Sequence, residues 1–412
     1  MSNWLRSPDH THWLRGETRR LLDFARNCPV PGLGAAWLNS DGSNDPARPP
    51  ATWSTCRMVH CYALGHLLGV PGSRPVAQAA MSGLTGALRD EEHGGWFDDA
   101  SGDGPAGKQA YAHAFVVLAA CSAVAADLDG AVDLLQEALG VYEGHFLDDD
   151  GLVIDSWNRD FSTPSDYRGI NATMHGVEAL LAAADATGDP HWLRRAAHLA
   201  AFAAGQAALN GWRMPEHFTP DWEFLPDYNE DHKADQFRPY GATVGHGLEW
   251  ARLLLHVESA LEDAGLGDLP GPTKGWAHAA KRLYRRAVAD GWARNGLPGF
   301  LYTTDWDGTP VVEDRLHWVT AEAIGAAATL WQRTGKKRYA RDYARWWDFA
   351  AVHLLDLEAG SWHHELDPGN EPAGKVWPGK PDLYHALQAT LIPTLPLSPV
   401  MAFALREAEA AA

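Results

Sequence analysis

The chain repeats one signal six times, and that repetition limits its fold more than any other feature. Six glycine turns each carry a large apolar residue: "GAAWL" at 34–38, "GGWF" at 94–97, "GLVI" at 151–154, "GWRM" at 211–214, "GFLY" at 299–302 and "GSWH" at 360–363. All but one of the intervals lie near 60 residues, enough for two helices and their connections. A histidine stands near the start of the helical segment that follows each turn: His60, His113, His175, His246, His317 and His385. Apolar residues at helical spacing predict helices over 8–27, 53–70, 74–90, 108–127, 129–146, 170–187, 190–209, 241–264, 273–290, 316–334, 337–355, 382–390 and 396–410. Strand-like pieces ("GLVIDSW", "WRMPEHF", "GFLYTTD") are short and fall in the connections. No Ser/Pro-rich linker divides the chain. The expectation is one all-α domain over 1–412: an (α/α)6 barrel of six helical hairpins, with short β-hairpin or loop insertions at one mouth. Equivalent ends of the inner helices, and at least four of the six histidines, would then meet at that mouth.

The net charge of −19 argues against nucleic acid and anionic membrane surfaces as partners, since both require clustered cations. Cys28, Cys56, Cys61 and Cys121 form no CxxC pattern and suit reduced, structural roles in the cytoplasm. The N-terminus "MSNWLRSPDH" lacks an apolar signal core. Nineteen tryptophans suit a large core, with a minority free to pack on the C–H faces of a sugar.

Three chemistries compete for the histidines. His175–Glu178 and His246–Glu249 are H-x-x-E pairs that share a helical face, which a metal could use, although the order is the reverse of the di-iron motif. An inverting glycosidase would need two of Glu178, Glu249, Glu322 and Asp382 astride a bond, and would have no use for the accompanying imidazoles. Proton transfer beside a sugar carbonyl uses them directly, because imidazole titrates near neutrality. Its enediolate needs donors nearby. Arg57, one turn before His60, and Arg238, in the loop entering the helix of His246, can reach that mouth. The polar, aromatic loop 212–240 is longer than a helix connection requires and reads as a wall or lid of the site. Trp377, Lys380 and Asp382 stand just before His385.

From "STCRMVHCYALG" through "EHFTPDW…DYNEDHKADQFRPYGATVGHGLEWARLLL" to "PDLYHALQA", the chain resembles the N-acylglucosamine 2-epimerase superfamily, in particular its aldose–ketose isomerase branch. The resemblance implies an (α/α)6 barrel that interconverts an aldose and its ketose through a cis-enediol, with no cofactor and no metal. Carried onto this chain, it makes His246 and His385 the catalytic pair, with His385 as proton shuttle and His246 as ring-opening acid/base, or the reverse. Arg57, Asn171, His175, Arg238 and Glu249 match positions that hold sugar hydroxyls or orient a histidine. Tyr111, Glu178, Trp318, Glu322, Trp377 and Gln388 would be pocket walls. Gln388 replaces a histidine usual in cellobiose epimerases, which favours monosaccharide isomerisation over disaccharide epimerisation. The expected reaction is D-mannose to D-fructose, with D-lyxose to D-xylulose beside it, by a cytoplasmic monomer or homodimer. Sulfoquinovose isomerase, a sugar 2-epimerase, an inverting glycosidase and a non-catalytic sugar-binding protein are the alternatives.

Overall fold

The computed structural model describes residues 3–102, 107–397 and 400–410. Helix α1 (Pro8–Phe24) is followed by five hairpins. They are α2 (Thr52–Leu67) with α3 (Ser73–Met81), α4 (Ala110–Ala125) with α5 (Ala131–Phe146), α6 (Ile170–Thr187) with α7 (Pro190–Leu209), α8 (Val244–Asp263) with α9 (Trp276–Gly291), and α10 (His317–Thr334) with α11 (Lys337–Phe349). Then come α12 (Tyr384–Leu391) and α13 (Met401–Ala410).

The even-numbered helices from α2 to α12 contact one another in sequence, and α12 returns to α2, closing an inner ring. Each odd-numbered helix from α3 to α11 backs the inner helix before it, and α1 backs α12 from the other end of the chain. This is the (α/α)6 barrel. Helix α13 packs against α2 and α4, and Phe403 shares a surface cavity with Leu181 of α6 and Ala260 of α8, away from the histidines.

The two rings differ in their sequences because they differ in their surroundings. An inner helix touches neighbours on all sides and is apolar nearly all round: every residue of α2 except His66 is buried. An outer helix faces water on one side. In α11 the buried residues are Tyr339, Tyr343, Trp346, Trp347 and Phe349, a single stripe beside an arginine-rich face. Local signals fix the ends. Ser7 and Asp189 cap α1 and α7, each followed by proline at the first helical position, and Gly188 and Gly335 end α6 and α10 with φ of 68° and 65°.

Two-residue antiparallel ribbons tie the N-terminal ends of the inner helices to the strand of the following hairpin: Lys108–Gln109 with Ser156–Trp157, Arg168–Gly169 with His217–Phe218, and Arg315–Leu316 with Glu365–Leu366. Ala242–Thr243 pairs with Thr303–Thr304, which continues to Pro310–Val312. These ribbons put the connecting loops at one mouth.

Boundaries depart from expectation by more than three residues in three places. The helix expected over 74–90 ends at Met81, because Gly83 and Gly86 lie against the 32–34 turn, where a Cβ would come within 2.4 and 2.7 Å of backbone. The segment expected over 337–355 turns π-helical at Ala350–Leu354. The last helix starts at Met401 rather than 396, and residues 398–399 lie outside the described residues. Among the described residues, no helix is long and apolar enough to cross a membrane. The four cysteines are buried and free.

Candidate active site

Four of the six repeated histidines, His175, His246, His317 and His385, line one cavity at the ribbon-bearing mouth. Arg57, Tyr111, Asn171, Glu249, Trp318 and Trp377 share its wall. His60 and His113 point elsewhere. His60 sits deeper, with Nδ1 2.7 Å from the Ser122 hydroxyl. The Nε2 of His113 accepts the Trp96 N–H at 3.0 Å, and its ring packs on Phe146 behind the inner ring.

Two imidazoles have the same construction. His246 donates from Nδ1 to Glu216 at 2.8 Å, and the other Glu216 oxygen accepts the Thr243 N–H at 3.2 Å. His385 donates from Nδ1 to Glu322 at 2.9 Å, and Glu322 in turn accepts from Arg252 Nε at 3.0 Å. A carboxylate on Nδ1 fixes the tautomer and leaves Nε2 bare as a base. The Trp318 ring lies between the two imidazoles, with centroids 5.4 Å from His246 and 5.7 Å from His385. Gly245 makes room for it, since a Cβ there would stand 2.1 Å from the indole. Burial, then the charge of Arg57, holds the His385 pKa well below that of a free imidazole, so the ring is neutral and able to accept a proton.

The charged groups beneath are paired. Arg57 donates to Asp382 at 3.1 Å and to the Tyr111 hydroxyl at 2.9 Å. Burial raises the Asp382 pKa, but Arg57, His385 and His317 together bring it below the usual carboxylate value. Arg252 reaches both Glu249, at 3.3 Å, and Glu322. Burial, then the Glu322 charge, pushes Glu249 well above the ordinary carboxyl range, and its Oε2 has no protein partner. Glu249 thus lines the cavity with one oxygen free, while Arg252 holds the other. His175, Glu178 and Glu249 form one group close enough to hold a metal ion, and Glu249, Glu322 and His385 form another. The Arg252 guanidinium already spans the two glutamates of the second group.

Several residues expected on the cavity wall lie off it. Glu178 sits below the floor, where it accepts from the Tyr384 hydroxyl, from Gln388 at 3.4 Å and from His175 at 3.4 Å. Gln388 and Glu322 occupy the same lower layer, drawn there by these partners. Arg238 lines an adjoining vestibule rather than the cavity: it is bound to Asp155 at 2.8 Å and stacked on Tyr167. Tyr111, Asn171 and Phe237 border both spaces.

Sequence reasoning did not single out Glu216, Arg252, Gln236, Phe237 or Tyr302. Glu216, Gln236 and Phe237 belong to the long loop 212–240, so the loop was legible as a wall while its individual contacts were not. Arg252 carried a detectable signal: the one cation in the largely apolar run "LEWARLLL", one turn after Glu249. Glu365 is a further buried carboxylate. It accepts the backbone N–H groups of Lys375, Val376 and Trp377 at 3.0, 2.7 and 2.6 Å, which seats Trp377 over the cavity.

The chain is 49% identical over 411 residues to a protein named D-mannose isomerase from Thermobifida fusca, covering 98% of this chain and 99% of the relative. It is 45% identical over 408 residues to a D-mannose isomerase from Pseudomonas cannabina pv. alisalensis, covering 98% and 97%. A crystal structure of D-mannose isomerase superposes with a TM-score of 0.83 at 29% identity, covering 93% of this chain and 97% of that one. The family profile of N-acylglucosamine 2-epimerase (GlcNAc 2-epimerase) matches residues 34–389, and the chain belongs to that family.

Proposed function

We propose that this protein is an aldose–ketose isomerase that interconverts D-mannose and D-fructose by proton transfer through a cis-enediol, with D-lyxose and D-xylulose as a second pair. The observation that carries the reading is the matched pair His246–Glu216 and His385–Glu322, which turns two bare imidazole nitrogens toward one cavity across Trp318. The relatives named D-mannose isomerase support the choice of sugar.

In this reading His246 opens the pyranose by moving the proton of the anomeric hydroxyl to the ring oxygen. His385, neutral because it is buried, removes the C2 hydrogen as a proton and returns it to C1 on the same face. The Arg57–Tyr111 pair offers hydrogen bonds to sugar oxygens as negative charge develops, and the free oxygen of Glu249 accepts from a sugar hydroxyl. One base on one face suffices for isomerisation, whereas 2-epimerisation needs a proton delivered to the opposite face.

The geometry disfavours the rivals. Glu178 and Glu322 are committed to protein donors and Asp382 to Arg57, so of the four candidate carboxylates only Glu249 keeps an unpartnered oxygen to face a glycosidic bond. Arg57 and Arg238 are each neutralised by an aspartate, so neither is free for a sulfonate. Four buried free thiols suit a reducing cytoplasm.

The test is NMR of D-mannose with chelator-treated enzyme. Fructose as the first product is expected. Glucose appearing first, or turnover only after a divalent ion is added, would overturn the reading.

A further inference from the structure

An aldose becomes a ketose only when two hydrogens move. The C2 hydrogen goes to C1, and the O2 hydroxyl proton must reach O1. His385 accounts for the first transfer. The second needs a group beside His385 that can both accept and release a proton.

His317 meets that requirement. It is the first residue of α10 and lines the cavity, with its ring centroid 6.4 Å from that of His385. Its Nδ1 lies 3.2 Å from the backbone carbonyl of His364, so Nδ1–H is the donor and Nε2 the bare nitrogen. That Nε2 is buried with no protein partner, in a residue 1% exposed. A buried imidazole nitrogen without a partner is costly unless something else satisfies it, and His317 lines the sugar cavity. The His364 ring stacks on His317 at 3.8 Å and 19°, holding its plane. Burial brings the His317 pKa down to about 4, so the ring starts neutral, while the Asp382 charge favours its transient protonation.

From this geometry we infer that His317 is a third catalytic imidazole, which carries the hydroxyl proton from O2 to O1. The inference rests on the isomerase reading above. The balance is complete. His385 takes the proton from C2, the C2–H electron pair becomes the C1=C2 bond, and the C1=O1 π pair moves onto O1. His317 accepts the O2 proton at Nε2 and passes it to O1. The O2 electrons form C2=O2, the C1=C2 pair closes on C1, and C1 takes the proton back from His385. No other reactant is needed.

The experiment compares wild type with His317→Phe and His317→Asn in D2O, following two rates by NMR: fructose formation and exchange of the mannose C2 hydrogen. The expected result is a fall of about a hundredfold in fructose formation, as for loss of a positioned acid/base, while C2 exchange stays within about threefold of wild type, because His385 is untouched. Turnover close to wild type in either folded variant would overturn the inference. So would a loss of exchange in proportion to turnover, which would mark His317 as a structural support for His385. Wild type that forms no ketose at all would instead overturn the isomerase reading itself.

Discussion

Replacing Glu216 by glutamine tests whether the buried carboxylate sets the protonation of His246. The side chain is 3% exposed and holds two donors, Thr243 N–H on Oε1 and His246 Nδ1–H on Oε2. In Glu216→Gln the Thr243 N–H retains the amide oxygen, so the new NH2 group faces His246. Two donors then oppose each other, and the imidazole relieves the conflict by moving its proton to Nε2, the nitrogen that faces the cavity. A hydrogen bond to a charged partner contributes about 1.5–3 kcal/mol. At about 1.4 kcal/mol per factor of ten, its loss alone lowers kcat by roughly 10- to 150-fold. The tautomer switch adds to that; the same exchange in the serine-protease triad costs about 10⁴. A drop of at least tenfold in kcat is therefore expected, with a thermal midpoint within a few degrees of wild type. The assay is fructose release from mannose at saturating substrate. A folded variant within threefold of wild type would show that Glu216 does not govern His246.

Gly245→Ala places a methyl group 2.1 Å from the Trp318 indole and must displace the ring that separates the two imidazoles; kcat should fall at least about tenfold, with a stability loss of about 1–3 kcal/mol by denaturant titration. Arg57→Ala leaves Asp382 buried without its cation, so unfolding free energy should drop by about 3–5 kcal/mol, read from the same titration. Buried histidines away from the cavity set an acid limit. Burial lowers the pKa of His60 to about 4 and of His113 and His256 to about 3, whereas the unfolded chain protonates them near 6.5. The unfolded state therefore binds more protons between those values, and stability should be full above about pH 6.5 and decline as pH falls toward 4. A thermal midpoint that stays flat from pH 7.5 to 5 would contradict this.

The ring was legible because six turns recur and the inner helices are apolar on every side, a pattern that survives without any knowledge of contacts. The histidine series was only partly a guide, because similar spacing along the chain does not fix rotation about a helix. His113 is the fourth residue of α4 and His175 the sixth of α6, a difference of about 200° at 3.6 residues per turn. One therefore faces the outer ring and the other the cavity. His60, the ninth residue of α2, lies about three residues deeper than His175, or about 4.5 Å along the axis. The carboxylates that hold His246 and His385 were harder to see. Glu322 stood out through its own helix, but it acts on a histidine 63 positions away. Glu216 reaches His246 from a loop whose path has no periodicity. Arg238 was placed near the site by its position before α8, yet Asp155, from another hairpin, holds it in the vestibule.

The central claim is that an imidazole carries the C2 hydrogen as a proton, and conversion of ordinary D-mannose in D2O by the wild-type enzyme tests it most directly. Proton transfer through an enediol predicts deuterium at C1 of the fructose formed, since His385 can exchange its proton with solvent while the intermediate is bound. Fructose that carries no deuterium at C1, even at long conversion, would indicate a direct hydride shift between the carbons and would contradict the account.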